Sequence, residues 1–274
     1  MTIKKKLNNN SQMDNELVLF ANSLADLSES LIAKYFRSSS LEDFEKSDNS
    51  PVTLADTEVE RVIREAIEAK YPEHAICGEE FEETEGNSPY KWYIDPIDGT
   101  SSFITGKPVF TTLIALTYKH EPILGVVNQP ILKERWCGGE LYPTNFNGKN
   151  VKTRGTKNLE DAVFSTTSPY LFSEAGAKQL DKLRANTKYQ KYGGLFCGAD
   201  AYQYAMLATG YIDLIVEEGL KPHDFLALIP VVRSAGGVIT DWSGQDITDK
   251  SDGRVIASAT EALHQKALKI LNEV

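Results

Sequence analysis

The sequence predicts a mixed α/β fold made of two closely packed parts. Three observations predict it. Stretches with apolar residues at helical spacing alternate with short runs rich in β-branched and aromatic residues. The 274 residues suffice for a substantial core, and at 41% hydrophobic and 25% charged their composition is ordinary for a globular protein. Strand-like runs dominate the middle of the chain, and helix and strand alternate after it, with a soft boundary near residue 155. The expected organisation is a disordered tail over 1–12, an N-terminal α+β part over 13–155 and a C-terminal α/β part over 156–274.

Leu17, Phe20, Leu24, Leu27 and Leu31 recur at helical spacing, so 14–36 reads as a helix. The stretch 37–51 is polar and turn-rich. A second helix spans 56–70, with Val59, Ile63, Ala66 and Ile67 on one face. Residues 75–77 and 92–94 read as short buried strands. Strands at 111–118 and 123–127 follow, joined by a hairpin turn at 119–122. Another strand surrounds 135–137, and 145–149 is a turn. Next come a strand at 162–166, helices near 173–185 and over 201–209, and a strand at 211–216. Residues 225–235 read as a helix despite Pro230, stopped by Gly236-Gly237. Short strands at 238–241 and 255–257 precede a C-terminal helix at 260–273.

Bulk properties narrow the function. The net charge is −10, and no basic stretch offers a stripe for nucleic acid, so no nucleic-acid partner is expected. No apolar run reaches the roughly 18 residues that span a bilayer, so no membrane partner is expected either. The N-terminus is basic and then polar with no apolar run behind it, which is not the pattern of a signal peptide. Cys77, Cys137 and Cys197 are scattered and odd in number, which fits a reducing cytoplasm rather than a disulfide framework. An acidic protein can still bind a phosphorylated small molecule if metal ions supply local positive charge.

Five carboxylates stand where a solvated surface is not the obvious reading. Asp95 and Asp98 follow the apolar run Trp92-Tyr93-Ile94, with Pro96 between them and Gly99 after. Pro96 fixes the backbone and Gly99 permits a sharp turn, so the two side chains can converge. Oxygen ligands at this density suit a hard cation such as Mg²⁺. Asp56 and Asp224 each open a helix and read equally as caps. Glu79 follows a strand and a glycine, and with Glu80 it begins an acidic run that also reads as a solvated loop, with Gly86-Asn87-Ser88 allowing mobility. The four histidines show no zinc spacing, and no Ser-His-Asp or Cys-His set is evident.

Gly78-Glu79-Glu80, the string from Trp92 to Thr100 with DPIDGT at its end, and Asp224 ahead of Ala235-Gly236-Gly237 resemble the signature of the inositol monophosphatase superfamily. Thr53-Leu54-Ala55-Asp56 lies upstream at that family's usual distance from Glu79, and the resemblance covers nearly the whole chain from about residue 15. It implies a five-layer αβαβα sandwich, a homodimer, and a phosphomonoesterase using two to three Mg²⁺ ions. By resemblance, Glu79, Asp95 and the Ile97 carbonyl hold the first ion. Asp95, Asp98 and Asp224 hold the second, and a third leans on Glu79 through water. Thr100, hydrogen-bonded to Asp56, is expected to orient and help deprotonate a metal-bound water, with the phosphate meeting backbone N–H groups at Gly99 and Thr100. Li⁺ inhibition follows if Li⁺ replaces the second ion.

Within that superfamily, several stretches resemble the histidinol-phosphate phosphatase branch: Ser101 to Pro108, Asn128-Gln129-Pro130 before Glu134-Arg135-Trp136, Thr166 to Pro169, Gly198 to Tyr202 and Glu217 to Phe225. The implied substrate is the small ester L-histidinol phosphate, of histidine biosynthesis. It carries an ammonium and an imidazole, and Asp200 and Glu217 are the carboxylates expected to meet them, beside Asp98, Gly99 and Thr100. Taken alone, Asp200 reads as a cap and Glu217 as a surface residue. The inositol branch also has a glutamate at the position of Glu217, so Asp200 carries more of the distinction. Ser101, Ala201 and His223 depart from that branch, where a basic residue, Cys and Tyr are usual. An inositol-1-monophosphatase, or a broad-specificity phosphatase, is the alternative. An inactive phospho-ligand-binding relative is the remote one. Asn128, Arg135, Trp136, His223 and Arg254 are residues for which substrate contact and a structural role stay open.

Overall fold

Two helices, α1 (Ser11–Tyr35) and α2 (Leu54–Lys70), form one outer face of the molecule. The computed structural model of the chain describes residues 11–38, 43–45 and 51–273. Residues 1–10 of the expected tail lie outside them, and Ser11 and Gln12 belong to α1. The buried stripe of α1 runs through Leu17, Ala21, Leu24, Ala25, Ser28 and Ile32. Small residues in that stripe let the helix sit close, and Leu27, placed on it by spacing, lies off it at 44% exposure. Within the turn-rich stretch, β1 (Asp43–Glu45) and β2 (Pro51–Thr53) pair antiparallel. Thr53 then caps α2 in a capping box with Asp56.

The first sheet has seven strands in chain order: β3 (Ala75–Gly78), β4 (Tyr90–Asp98), β5 (Thr111–Tyr118), β6 (Glu121–Gln129), β7 (Glu134–Gly139), β8 (Tyr142–Phe146) and β9 (Lys149–Asn150). Only β3–β4 pair parallel among these neighbours. One turn of helix, α3 (Thr100–Ile104), follows β4. The β5–β6 turn is tighter than the four residues expected. Lys119 and His120 alone make it, both with positive φ (53° and 71°), and the strand resumes at Glu121. Such a turn matches the twist of the flanking strands.

The second half supplies β10 (Phe164–Thr166), α4 (Glu174–Ala185), β11 (Phe196–Cys197), α5 (Tyr202–Ala208), β12 (Leu214–Glu217), α6 (Pro222–Phe225), α7 (Leu228–Ser234), β13 (Val238–Thr240), β14 (Val255–Ser258) and α8 (Glu261–Leu271). Its strands are ordered β11-β10-β12-β14-β13, with β10 parallel to both neighbours and β14 antiparallel to both of its own. The helix expected over 225–235 is divided. Pro230 is the third residue of α7, in a first turn whose N–H groups have no intrahelical acceptor, so the proline costs no bond there.

Period-two alternation assigns each sheet two buried faces. Trp92, Ile94, Ile114, Leu116 and Val126 pack under α1 and α2. Tyr93, Leu113, Ala115 and Val127 face the other way, into a core shared with α5, α7, Ile215 and Ala257. Leu214, Val216 and Ile256 turn outward again, against α4 and α8. The order is helices, sheet, helices, sheet, helices: the αβαβα sandwich. Among the described residues no helix is long and apolar enough to cross a membrane.

His264 ties α8 to β13 and β14 of the second sheet. Its Nε2 lies 2.8 Å from Thr240 Oγ1 and its Nδ1 3.0 Å from Ser258 Oγ. Burial pushes the imidazole down to about 4. The unfolded chain therefore takes up this proton before the folded one does. Stability is complete above about pH 6.5 and is lost as pH falls toward about 4, by an amount on the order of 3 kcal/mol. Thermal melts between pH 7.5 and 4.5 are expected to show this loss, and His264→Gln to flatten it. An unchanged pH slope in the variant refutes the assignment.

Candidate active site

The site is built on an irregularity in β4. Residues three apart on a regular strand point to opposite faces. Here Asp95 pairs with Leu113 and Asp98 with Thr111, so one extra residue is accommodated between them. Such a bulge brings both aspartates to the same side. Pro96 has no N–H to lose from the ladder, which is why the bulge falls there. Its carbonyl accepts the Thr112 hydroxyl at 2.9 Å, and the Ile97 N–H donates to Asp95 Oδ1 at 3.0 Å. Gly99 then turns the chain into α3 with φ 87°.

Asp224 arrives from the other half, in α6, whose first residue is Pro222. Its Oδ2 accepts the Lys221 N–H at 2.7 Å, so it caps and faces the site at once. Oxygens of Asp95, Asp98 and Asp224 lie within 4.8 Å of one another. Three carboxylate oxygens in that span form a hard donor set that could hold a divalent cation. Burial first, and then the neighbouring carboxylates, push the carboxyls of Asp95 and Asp98 well above the usual range. Asp224 is raised too, chiefly by burial, against the opposing pull of His223. The His223 Nε2 lies 3.4 Å from Asp224 Oδ1, so this histidine flanks the cluster.

Glu79 lines the same cleft without joining that tight group. Asp56 is fully buried at the start of α2. Its Oδ2 accepts the Thr53 N–H at 2.8 Å and the Thr53 hydroxyl at 2.6 Å, while Oδ1 has no partner. Burial pushes this carboxyl up to about 6. The expected Thr100–Asp56 hydrogen bond is not formed. The Thr100 hydroxyl, folded back by the turn at Gly99, donates to the Ile97 carbonyl at 3.2 Å.

Across a cleft of about 280 Å³, Asp200 and Glu217 face the cluster. Gly198, Ala199 and Asp200 all have positive φ (95°, 80° and 39°), a left-handed run that re-aims the chain at the start of α5. Asp200 sits against the metal-side turn: a Cβ on Gly99 would lie 2.7 Å from its Oδ2. The Ala201 N–H donates to Asp98 Oδ2 at 2.6 Å. Glu217 ends β12. Its Oε1 accepts from the Thr167 N–H at 2.6 Å and from Gln203 Nε2 at 2.5 Å, and its Oε2 has no partner. Burial pushes Glu217 up to about 7, and burial with the Asp224 charge pushes Asp200 up to about 6.

Sequence reasoning missed Gln203 and Tyr204. They stand three and four residues after Asp200, the spacing that shares a helix face. Tyr204 lines the cleft and its buried hydroxyl has no partner. All five residues left open fall outside the cleft lining, His223 lying beside Asp224 and the other four elsewhere in the chain. Asn128 Oδ1 accepts from Arg135 Nε at 2.8 Å, and the Arg135 guanidinium also reaches Asp26 and Glu29 of α1. Trp136 donates to Thr209 Oγ1 at 2.7 Å, and Arg254 pairs with Asp252.

A family model described as the inositol monophosphatase family matches residues 13–274. The chain belongs to the inositol monophosphatase family. It is a phosphatase of that family, whose members depend on Mg²⁺, and the acidic cluster is consistent with that dependence. The chain is 47% identical over 270 residues to the protein of Arabidopsis thaliana named bifunctional phosphatase IMPL2, chloroplastic, covering 94% of this chain and 76% of that one. It is 36% identical over 242 residues to a histidinol-phosphatase of Chlorobaculum parvum, covering 88% and 90%. An inositol monophosphatase structure from Zymomonas mobilis matches with TM-score 0.85 at 39% identity, covering 96% of this chain and all (100%) of that one.

The contact between Gly99 and Asp200 is testable. Gly99→Ala is expected to cost about 1–2 kcal/mol of stability through its left-handed backbone. It also pushes Asp200 aside, which is expected to lower kcat/KM by more than about ten-fold. A melt and a phosphate-release assay read the two effects. Native kcat/KM in the variant refutes the importance of this contact.

Proposed function

We propose that this phosphatase hydrolyses L-histidinol phosphate, with two to three Mg²⁺ ions held by Glu79, Asp95, the Ile97 carbonyl, Asp98 and Asp224. The observation that carries the reading is a single cleft with acidic groups at both ends. One end has the compact cluster of Asp95, Asp98 and Asp224. The other has Asp200 and Glu217, with Glu217 Oε2 unpartnered and buried. A phosphate ester with cationic groups on its alcohol fits that polarity, whereas an uncharged polyol offers Asp200 no charge to pair with. Relatives named histidinol-phosphatase support the reading, and so does the resemblance around Asp200.

Bound Mg²⁺ neutralises the cluster, acidifies a coordinated water and orients phosphate oxygens. The remaining roles belong to the chain. Asp95 would hold the ions together with Asp98 and Asp224. Asp56 Oδ1, a buried acceptor without a partner, would take part in removing a proton from water once the Thr100 hydroxyl leaves the Ile97 carbonyl and turns to it, with Glu79 holding water beside them. The first N–H groups of α3, at Thr100, receive phosphate oxygens. Asp200 binds the ammonium, and Glu217, held by Thr167 and Gln203, binds the imidazole. The reading includes a homodimer and a reducing cytoplasm, in keeping with three free cysteines.

Phosphate release with Mg²⁺ from histidinol phosphate and inositol 1-phosphate, side by side, tests the substrate. Histidinol phosphate is expected to win by about 100-fold in kcat/KM, and Asp200→Asn to erase most of that gap. A preference for inositol 1-phosphate, or none, replaces this substrate with the inositol-phosphatase alternative.

A further inference from the structure

The acidic loop after β3 is held from below. Glu60 lies one turn after Asp56 on α2 and is fully buried. Its carboxylate accepts the backbone N–H of Glu80 at 2.8 Å and of Phe81 at 3.3 Å, the two residues directly after Glu79. Arg64, one turn further along, donates from Nε to Glu60 Oε1 at 2.7 Å. Its other two nitrogens reach the Phe81 carbonyl at 3.1 Å and Thr84 Oγ1 at 3.2 Å. A two-way backbone bridge between Ile76 and Thr84, at 2.9 and 2.8 Å, closes the loop at its base. Gly78 makes the arrangement possible, since a Cβ there would lie 1.9 Å from Glu60 Oε1.

This is more than the loop needs for packing. Phe81, the loop's large apolar side chain, is exposed at 43%, so its burial is not what holds the loop. A buried charge pair held for stability alone is a poor device, because desolvating both ions offsets most of their attraction. The pair is instead aimed at two consecutive N–H groups, which fixes the backbone on which Glu79 stands. Asp56 and Glu60 share a helix face, so one rigid element carries Asp56 and holds the backbone beside Glu79.

We infer that Glu60 and Arg64 are positioning residues that set Glu79 for cation binding. The inference rests on the metal reading proposed above. Its test is calorimetric titration of Mg²⁺ into the full chain without substrate, beside the Mg²⁺ dependence of turnover. Glu60→Gln removes the charge that holds both N–H groups. Arg64→Lys keeps the charge and loses the fork. Each is expected to weaken Mg²⁺ binding by at least about ten-fold, the usual effect of removing a group that orients a ligand. The half-saturating Mg²⁺ for turnover is expected to rise in step, with kcat at saturating Mg²⁺ within about three-fold of native. If Glu60→Gln does not fold, Arg64→Lys carries the test alone. Folded variants with lower melting temperatures but native Mg²⁺ affinity overturn the inference and leave the pair a structural brace. A native chain that binds no Mg²⁺ overturns the metal reading itself, and that result is seen before any variant is compared.

Discussion

Placing Asp95, Asp98 and Asp224 with one oxygen of each inside a 4.8 Å span sets the electrostatic problem that the rest of the molecule answers. Seven acidic residues line the cleft, and among the described residues that line it there is no lysine or arginine. Like charges this close in a desolvated place cannot all stay ionised. The protein alone has one remedy, protonation, and the upward displacement of Asp56, Asp95, Asp98, Asp200, Glu217 and Asp224 is its signature. A cation is the other remedy. A cleft lined this way suits positive partners, and under the proposed function it meets them twice, as ions at one end and as cationic substrate groups at the other.

The fold supplies the geometry for this crowding. The bulge sits in β4, between β3 and β5, where both faces of the sheet are covered. It does not propagate, because β5 compensates. Thr112 takes the carbonyl of Pro96 at 2.9 Å, and Thr111 turns its hydroxyl to Asp98 Oδ2 at 3.4 Å. Glu217 ends a strand of the second sheet, so strand ends from both sheets meet at one cleft, with the middle helices α5 and α7 packed between them. Binding at strand ends is what layered α/β structures favour, since packed strands give rigid platforms and their ends leave groups exposed.

Most of the layering was legible because period-two and helical patterns are local. The strand at 111–118 was read to the residue, and the alternation within it places Leu113 and Ala115 in one core and Ile114 and Leu116 in another. The metal-side aspartates were legible because Pro96 and Gly99 advertise a bend. Asp56 was read as a cap or as the partner of Thr100, and Asp224 as a cap or a metal ligand; each caps its helix through one oxygen, which does not exclude the second role. What stayed hidden depends on contacts far apart in sequence. Glu60 and Arg64 look like an ordinary i,i+4 surface pair until the loop 79–84 is folded over them. The Thr100 hydroxyl could not be placed, because its partner depends on the backbone turn at Gly99 rather than on residue type.

The left-handed run at Gly198, Ala199 and Asp200 is the least predictable feature of the site and the one that joins its two ends. Positive φ at a residue with a Cβ costs about 1–2 kcal/mol, and it occurs here at two residues in succession. It persists because both flanks are tied. Gly198 donates its N–H to the carbonyls of Thr166 and Thr167 at 3.1 and 2.8 Å, and Ala201 donates to Asp98 Oδ2 at 2.6 Å. That last bond runs from the strained substrate-side turn directly to a carboxylate of the cluster. The Asp98 carboxyl thus helps hold the conformation of Asp200. Under the proposed function, a residue that would hold an ion also braces the turn that carries Asp200, so the choice among phosphate esters would not be independent of the chemistry that cleaves them.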